Sequence, residues 1–181
     1  MRSLILSLVA STLGFAGMAQ AEDPDPLTVE PSQFELAFLL PQNAGIEKGS
    51  VKLVFQGKIV STGQVNSHEY TLVQSNTLNG PSNGLIKQRG GAHYAIFRFA
   101  DRDLERVRSQ QKAISIWKAA DSNDVTGDIG VDADFCKTGA LKSYEKTRFY
   151  ISVGDGFELL MKGTLKDMVG PDGIPHLPAC S

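Results

Sequence analysis

The chain has 181 residues, a formal net charge of −2, 41% apolar side chains and two cysteines. That length suits one domain and is enough to bury a core without heavy stapling. So mild a charge gives no reason to assign a nucleic-acid or membrane-surface partner.

Met1 and Arg2 give a short positive start, and Leu4 to Ala16 is almost entirely apolar or small. Ala19-Gln20-Ala21 closes the run with the small residues that a signal peptidase inspects, and the polar, proline-broken segment from Glu22 follows. This pattern predicts a signal peptide over 1–21, cleaved after Ala21. The apolar run is shorter than the roughly 20 residues a membrane span needs, and no later run reaches that length. The residue directly after the cleavage point is Glu22 rather than cysteine, so a lipid anchor is not expected, and no Asn-x-Ser/Thr acceptor occurs. The product is expected to be soluble and periplasmic or secreted, with residues 22–32 extended and 33–181 forming a single β-rich domain.

Cys136 and Cys180 allow only one internal pairing in an oxidising compartment. Their bridge would tie down the C-terminus, worth about 4 kcal/mol by chain-entropy arithmetic. A redox pair would show as Cys-x-x-Cys, and two distant thiols do not make a zinc site.

Along the domain, the hydrophobic period is mostly two. Phe34, Leu36, Phe38 and Leu40 alternate, as do Val51, Leu53 and Phe55, with shorter runs at His68 to Val73, Tyr94 to Phe99 and Ile114 to Lys118. Each predicts a half-buried strand. Phe149, Ile151 and Val153 lead into Gly154-Asp155-Gly156, and Phe157, Leu159 and Met161 lead away, which predicts a hairpin. Asp101 to Gln111 is read as one short helix capped by Asp101, with Leu104 and Val107 on its apolar side. Asn79 to Gly91 and Asp121 to Gly130 read as loops, and the proline-rich tail from Gly170 as an extended run to Cys180. The fold class that follows is a mostly β antiparallel sandwich or partly open barrel with at most one short helix.

No group of residues makes a catalytic or cofactor signature. His68, His93 and His176 come with no identifiable base and orienting partner. His68 and Glu69 are adjacent in a strand, so they point to opposite faces and cannot share a metal. The acidic residues from Asp121 to Asp134 raise a calcium reading, but Val125 and Thr126 break the loop pattern. A solvated turn is the plainer expectation.

The remaining lead is basic. Lys87, Arg89, Arg98, Arg102, Arg106, Arg108 and Lys112 stand against Asp101, Asp103 and Glu105. Arg98, Arg102, Arg106 and Arg108 are therefore the candidate binding residues for a carboxylate- or phosphate-rich surface. An alternative is a helix laced with internal ion pairs. Tyr70, Tyr94, Trp117 and Tyr144 would make a sugar platform, or simply core.

The function expected is non-enzymatic: an exported binding or accessory protein for an envelope protein or an anionic glycan. One alternative is a carbohydrate-acting hydrolase using two of Glu35, Glu69, Asp155 and Glu158. Another is an inhibitor-type domain whose Asn79–Gly91 loop plugs a cleft. No feature sets the oligomeric state.

Overall fold

The computed structural model describes residues 6–8, 27–78, 82–87, 90–142, 145–154, 156–170 and 173–180. The cleavage position after Ala21 lies outside them. Eleven strands are distinguished among the described residues, and they fall into three antiparallel sheets with no closed barrel.

The first sheet has the order β1 (Leu6–Leu8), β8 (Val125–Asp132), β4 (Lys52–Ile59), β5 (Val65–Thr71). The second has the order β11 (Phe157–Thr164), β10 (Lys146–Val153), β2 (Phe34–Leu40), β7 (His93–Arg98), β6 (Val73–Ser75). A ribbon of β3 (Ala44–Ile46) and β9 (Phe135–Lys137) forms the third. Between β5 and β6 only Leu72 intervenes, so the chain passes there from one sheet to the other.

Alternation explains how the sheets face each other. Leu36, Phe38 and Leu40 on β2 pack with Leu53 and Phe55 on β4 in one apolar core. Phe38 stacks on Phe149 at 4.6 Å between ring centroids and meets the edge of Phe97 at 5.8 Å. The reverse face of the second sheet is not left to water. Ala37, Leu39, Ile96, Tyr150 and Phe157 are buried there, and Leu78, Leu85 and Ala92 pack over them. All seven residues of β2 are consequently buried, which is why its sequence is apolar almost throughout.

The hairpin of β10 and β11 forms where the glycines predicted it, with Gly154 at φ 120° and Gly156 at φ 144°. A bulge interrupts its register, since Phe149 faces Met161 while Tyr150 faces Leu159, leaving Leu160 as the extra residue. The simple alternation of Phe157, Leu159 and Met161 is lost in consequence, and Leu159 is exposed.

Two sequence expectations fail in the middle of the chain. A 3-10 turn at Asp101–Asp103 runs directly into helix α1 (Leu104–Ala120), so the expected strand at Ile114–Lys118 is helical. The helix is far longer than Asp101 to Gln111, and its N-cap position is Asp103, which makes no side-chain cap, rather than Asp101. Its buried stripe is Val107, Gln110, Gln111 and Ile114, two of them amides. The Gln110 amide nitrogen donates to Phe55 O at 2.6 Å, and its oxygen accepts from the Tyr70 hydroxyl at 2.8 Å. Those bonds satisfy a polar side chain that is otherwise costly to bury.

The second failure is Asp121 to Gly130, most of which is strand β8 rather than loop. Its inward positions carry Val125, Ile129 and Val131 around Gly127, which stands opposite Gly57 of β4. A Cβ on Gly57 would lie 2.7 Å from Ile114 Cγ1. The glycine is therefore what lets the helix sit down on the sheet.

The C-terminus is tied in by the expected disulfide, but the tail from Gly170 is not extended throughout. A short helix α2 (Leu165–Val169) follows β11, and Ile174 is buried in a single 3-10 turn. Cys136 and Cys180 form a disulfide across Cα atoms 4.9 Å apart. Gly45 lies beneath it, where a Cβ would be 2.7 Å from Cys180 Sγ. Among the described residues no helix is long and apolar enough to cross a membrane.

Candidate functional site

The four candidate arginines do not converge into one cradle. Arg98 lies on β7, half-buried and in register with the buried Glu35 of β2. Arg106 is held by its own fold: its guanidinium lies 4.5 Å from the Tyr70 ring centroid, 3.2 Å from Asp103 Oδ1, and donates to Glu69 O at 3.3 Å. That last bond caps a carbonyl on β5, the outermost strand of its sheet. Burial pushes the Tyr70 phenol above its usual pKa, the nearby Arg106 cation only partly opposing it.

Arg108 serves as a latch. Its Nε donates to Glu30 Oε1 at 3.0 Å, Nη2 donates to the same oxygen, and Nη1 donates to Glu105 Oε2 at 3.0 Å. The bond to Arg108 holds the Glu30 carboxyl below its ordinary value of 4.5. Beside this latch Gln111 Nε2 donates to Val29 O at 2.9 Å, so the described start of the domain is docked on α1. Arg102 is the arginine that stands out into water, 82% exposed and 3.8 Å from Asp103.

The acidic segment is spent on backbone. Asp124 Oδ1 accepts from Ser61 N–H at 2.7 Å and Oδ2 from the Ser61 hydroxyl, pinning the β4–β5 turn. Asp121 Oδ1 accepts from Asn123 N–H at 3.0 Å. Asp128 and Asp132 stand on β8 opposite Gln56 and Lys52. Among the described residues no group of three or more His, Cys, Asp or Glu side chains is placed to hold a metal ion.

Among the described acid-pair candidates, none is shown facing another across a cleft. Glu35 is buried on the outward side of the five-stranded sheet, whereas Glu69 lies on the other sheet, paired with Lys52 at 2.9 Å. Glu158 is exposed on β11, and Asp155 lies outside the described residues. The aromatic platform does not assemble either. Tyr70 is buried beneath Arg106, Trp117 lies on α1, and Tyr94 is under the loop, while Tyr144 is outside the described residues.

The loop expected as a plugging finger is anchored to the protein at Asn83 and Ile86. Tyr94 donates its hydroxyl to Ile86 O at 2.9 Å, with burial pushing that phenol up to about 12. Asn83 O accepts from Phe157 N–H at 2.6 Å, an approach that Gly84 permits, since a Cβ there would lie 1.8 Å from Phe157 O. Residues 79–81 and 88–89 are outside the described set.

Two features escaped the sequence. One is a cleft of about 260 Å³ beside the disulfide, with Leu40 and Phe97 as floor and Gln42, Gln74, His93 and Thr138 among its rim. Residues so distant along the chain meet only through the sheet order. The other is the set of sheet borders. β1 and β5 end the first sheet and β11 and β6 the second, so β8 is shielded from the border only by the three residues Leu6–Leu8. Strands that end a sheet present unpaired backbone groups to any extended segment. Comparison with known protein families, with curated proteins and with solved structures finds no match.

Proposed function

We propose that the chain is an exported, non-enzymatic accessory protein of the periplasm that binds another envelope protein by strand pairing. The observation that carries this reading is strand β8, whose outer side is covered only by the three-residue extended segment Leu6–Leu8. Export is supported by the apolar leader ending at Ala19-Gln20-Ala21 and by the Cys136–Cys180 disulfide, which persists best in an oxidising compartment. Strand addition takes affinity from main-chain hydrogen bonds and specificity from alternating side chains, and it needs no catalytic group. An anionic glycan remains the second reading. It rests on Arg102 alone among the four arginines, because Arg106 and Arg108 already satisfy Asp103, Glu30 and Glu105.

The test is cross-linking capture of the tagged protein in intact periplasm, identifying captured proteins and glycans together. A dominant protein partner, retained by Arg102→Ala and cross-linked through β8, is the expected result. Capture of a glycan lost in Arg102→Ala supports the second reading instead. Recovery of neither, at several salt concentrations, contradicts both.

A further inference from the structure

We infer that β8 is the acceptor strand, and that removal of the leader empties a built seat for an antiparallel segment with apolar residues on either side of a small one. The inference rests on the export reading and adds the site and the class of ligand. In the structure the seat is taken by the chain's own leader: Leu6 stands opposite Val131, Ser7 opposite Gly130 and Leu8 opposite Ile129. These rows continue across the sheet, Val131 to Leu53 and Ile129 to Phe55 on β4, both of them buried core residues. A strand laid on β8 therefore extends two apolar rows of the core outward by one residue each. Its middle residue faces the row of Gly130 and Val54 on the other side of the sheet.

Once residues 1–21 are gone, Ile129 and Val131 become border residues, and β8 keeps unpaired backbone groups along one side. Both residues are already only half-buried with the leader in place. Burial of their remaining apolar surface, together with two or three main-chain bonds, is what the incoming strand gains. The other sheet borders are partly closed: Arg106 and Gln110 cap carbonyls on β5, β6 has three residues, and Asn83 takes the first amide of β11. Strand β8 is the border to which the chain itself adds a strand.

The experiment uses the protein as secreted, with its intact mass fixing where it begins. The probe is a fluorescent peptide copying Ser3 to Ser11 with two lysines appended for solubility. A second peptide carries proline in place of Ser7 and Leu8, which removes two adjacent donors whichever one faces β8. Saturable binding of the first peptide, at least about tenfold weaker for the second, is expected. Slowed amide exchange confined to Ile129–Val131 and its neighbours should accompany it. Equal binding of both peptides, or no binding by a chain of correctly cleaved mass, overturns the seat while leaving export intact. Recovery of the chain with residues 1–21 attached overturns both, since the seat is then permanently filled.

Discussion

Gly57 shows how one missing side chain decides where a helix rests. Its partner across the sheet is Gly127, and its own Cβ would meet three carbons of Ile114 at 3.0 Å or less. Gly57→Ala should therefore destabilise the fold by about 1–3 kcal/mol through overpacking. In a Gly57→Ala, Ile114→Ala double variant much of that loss should return, because the methyl then has room. Urea unfolding of the four-member cycle measures the coupling, and strictly additive losses would contradict the contact. Gln110 makes the complementary point. Its amide is buried because Phe55 O and the Tyr70 hydroxyl complete its bonding, a reason no reading of the sequence alone supplies. Two of the four buried positions of α1 are glutamines, so its length is not marked by an apolar stripe in the sequence.

At the scale of elements, legibility tracked how far local pattern and tertiary surroundings agreed. Strands β2 and β4 and the β10–β11 hairpin were readable since their alternation, glycines and burial all coincide. Strand β8 was not, as Asp124, Gly127, Asp128 and Gly130 have the composition of a turn; pairing with β4 on a prepared face overrides it. Ile114-Ser115-Ile116 has strand chemistry, yet it continues a helix already begun, and Ile116 is 60% exposed. The basic residues were legible as a cluster but not as a site. Beside the local Asp103 and Glu105, Arg108 is held by the Glu30 carboxylate and Arg106 by the Glu69 carbonyl, both distant in sequence. The Glu30–Arg108 latch predicts a pH dependence with a definite sign. The folded carboxyl lies below its ordinary 4.5 because of Arg108, so its contribution is present above that pH and fades as pH falls through the folded value. The thermal midpoint of Glu30→Gln should lie below that of the natural protein at neutral pH, and the gap should close below about pH 4.5. A gap that persists into acid would show that the latch does not act through charge.

For the whole molecule, two sheets clamp one core while a helix, a loop and a disulfide close its remaining sides. The disulfide joins residues separated by 44 positions and fixes a tail also held by Ile174, Leu177, backbone bonds of Lys137 with Pro178 and Cys180, and the Lys137 ammonium on Pro175 O. Cys136→Ser with Cys180→Ser should cost about 4 kcal/mol in urea unfolding by the chain-entropy relation, leaving a folded but less stable sandwich. A change within a few tenths of a kcal/mol would mean that the tail is pinned by packing alone. The architecture itself was predictable from period and turn chemistry. The borders were not, since strand order is a property of distant pairings that no window of sequence contains. It is on the outer side of β8 that the account depends, and amide exchange along Val125–Asp132 in the protein lacking residues 1–21 tests it most directly. With the seat empty, alternate amides of β8 should exchange as an open border while those bonded to β4 stay slow, and a bound strand should close the difference. Uniform protection of every β8 amide in the unliganded protein would contradict it.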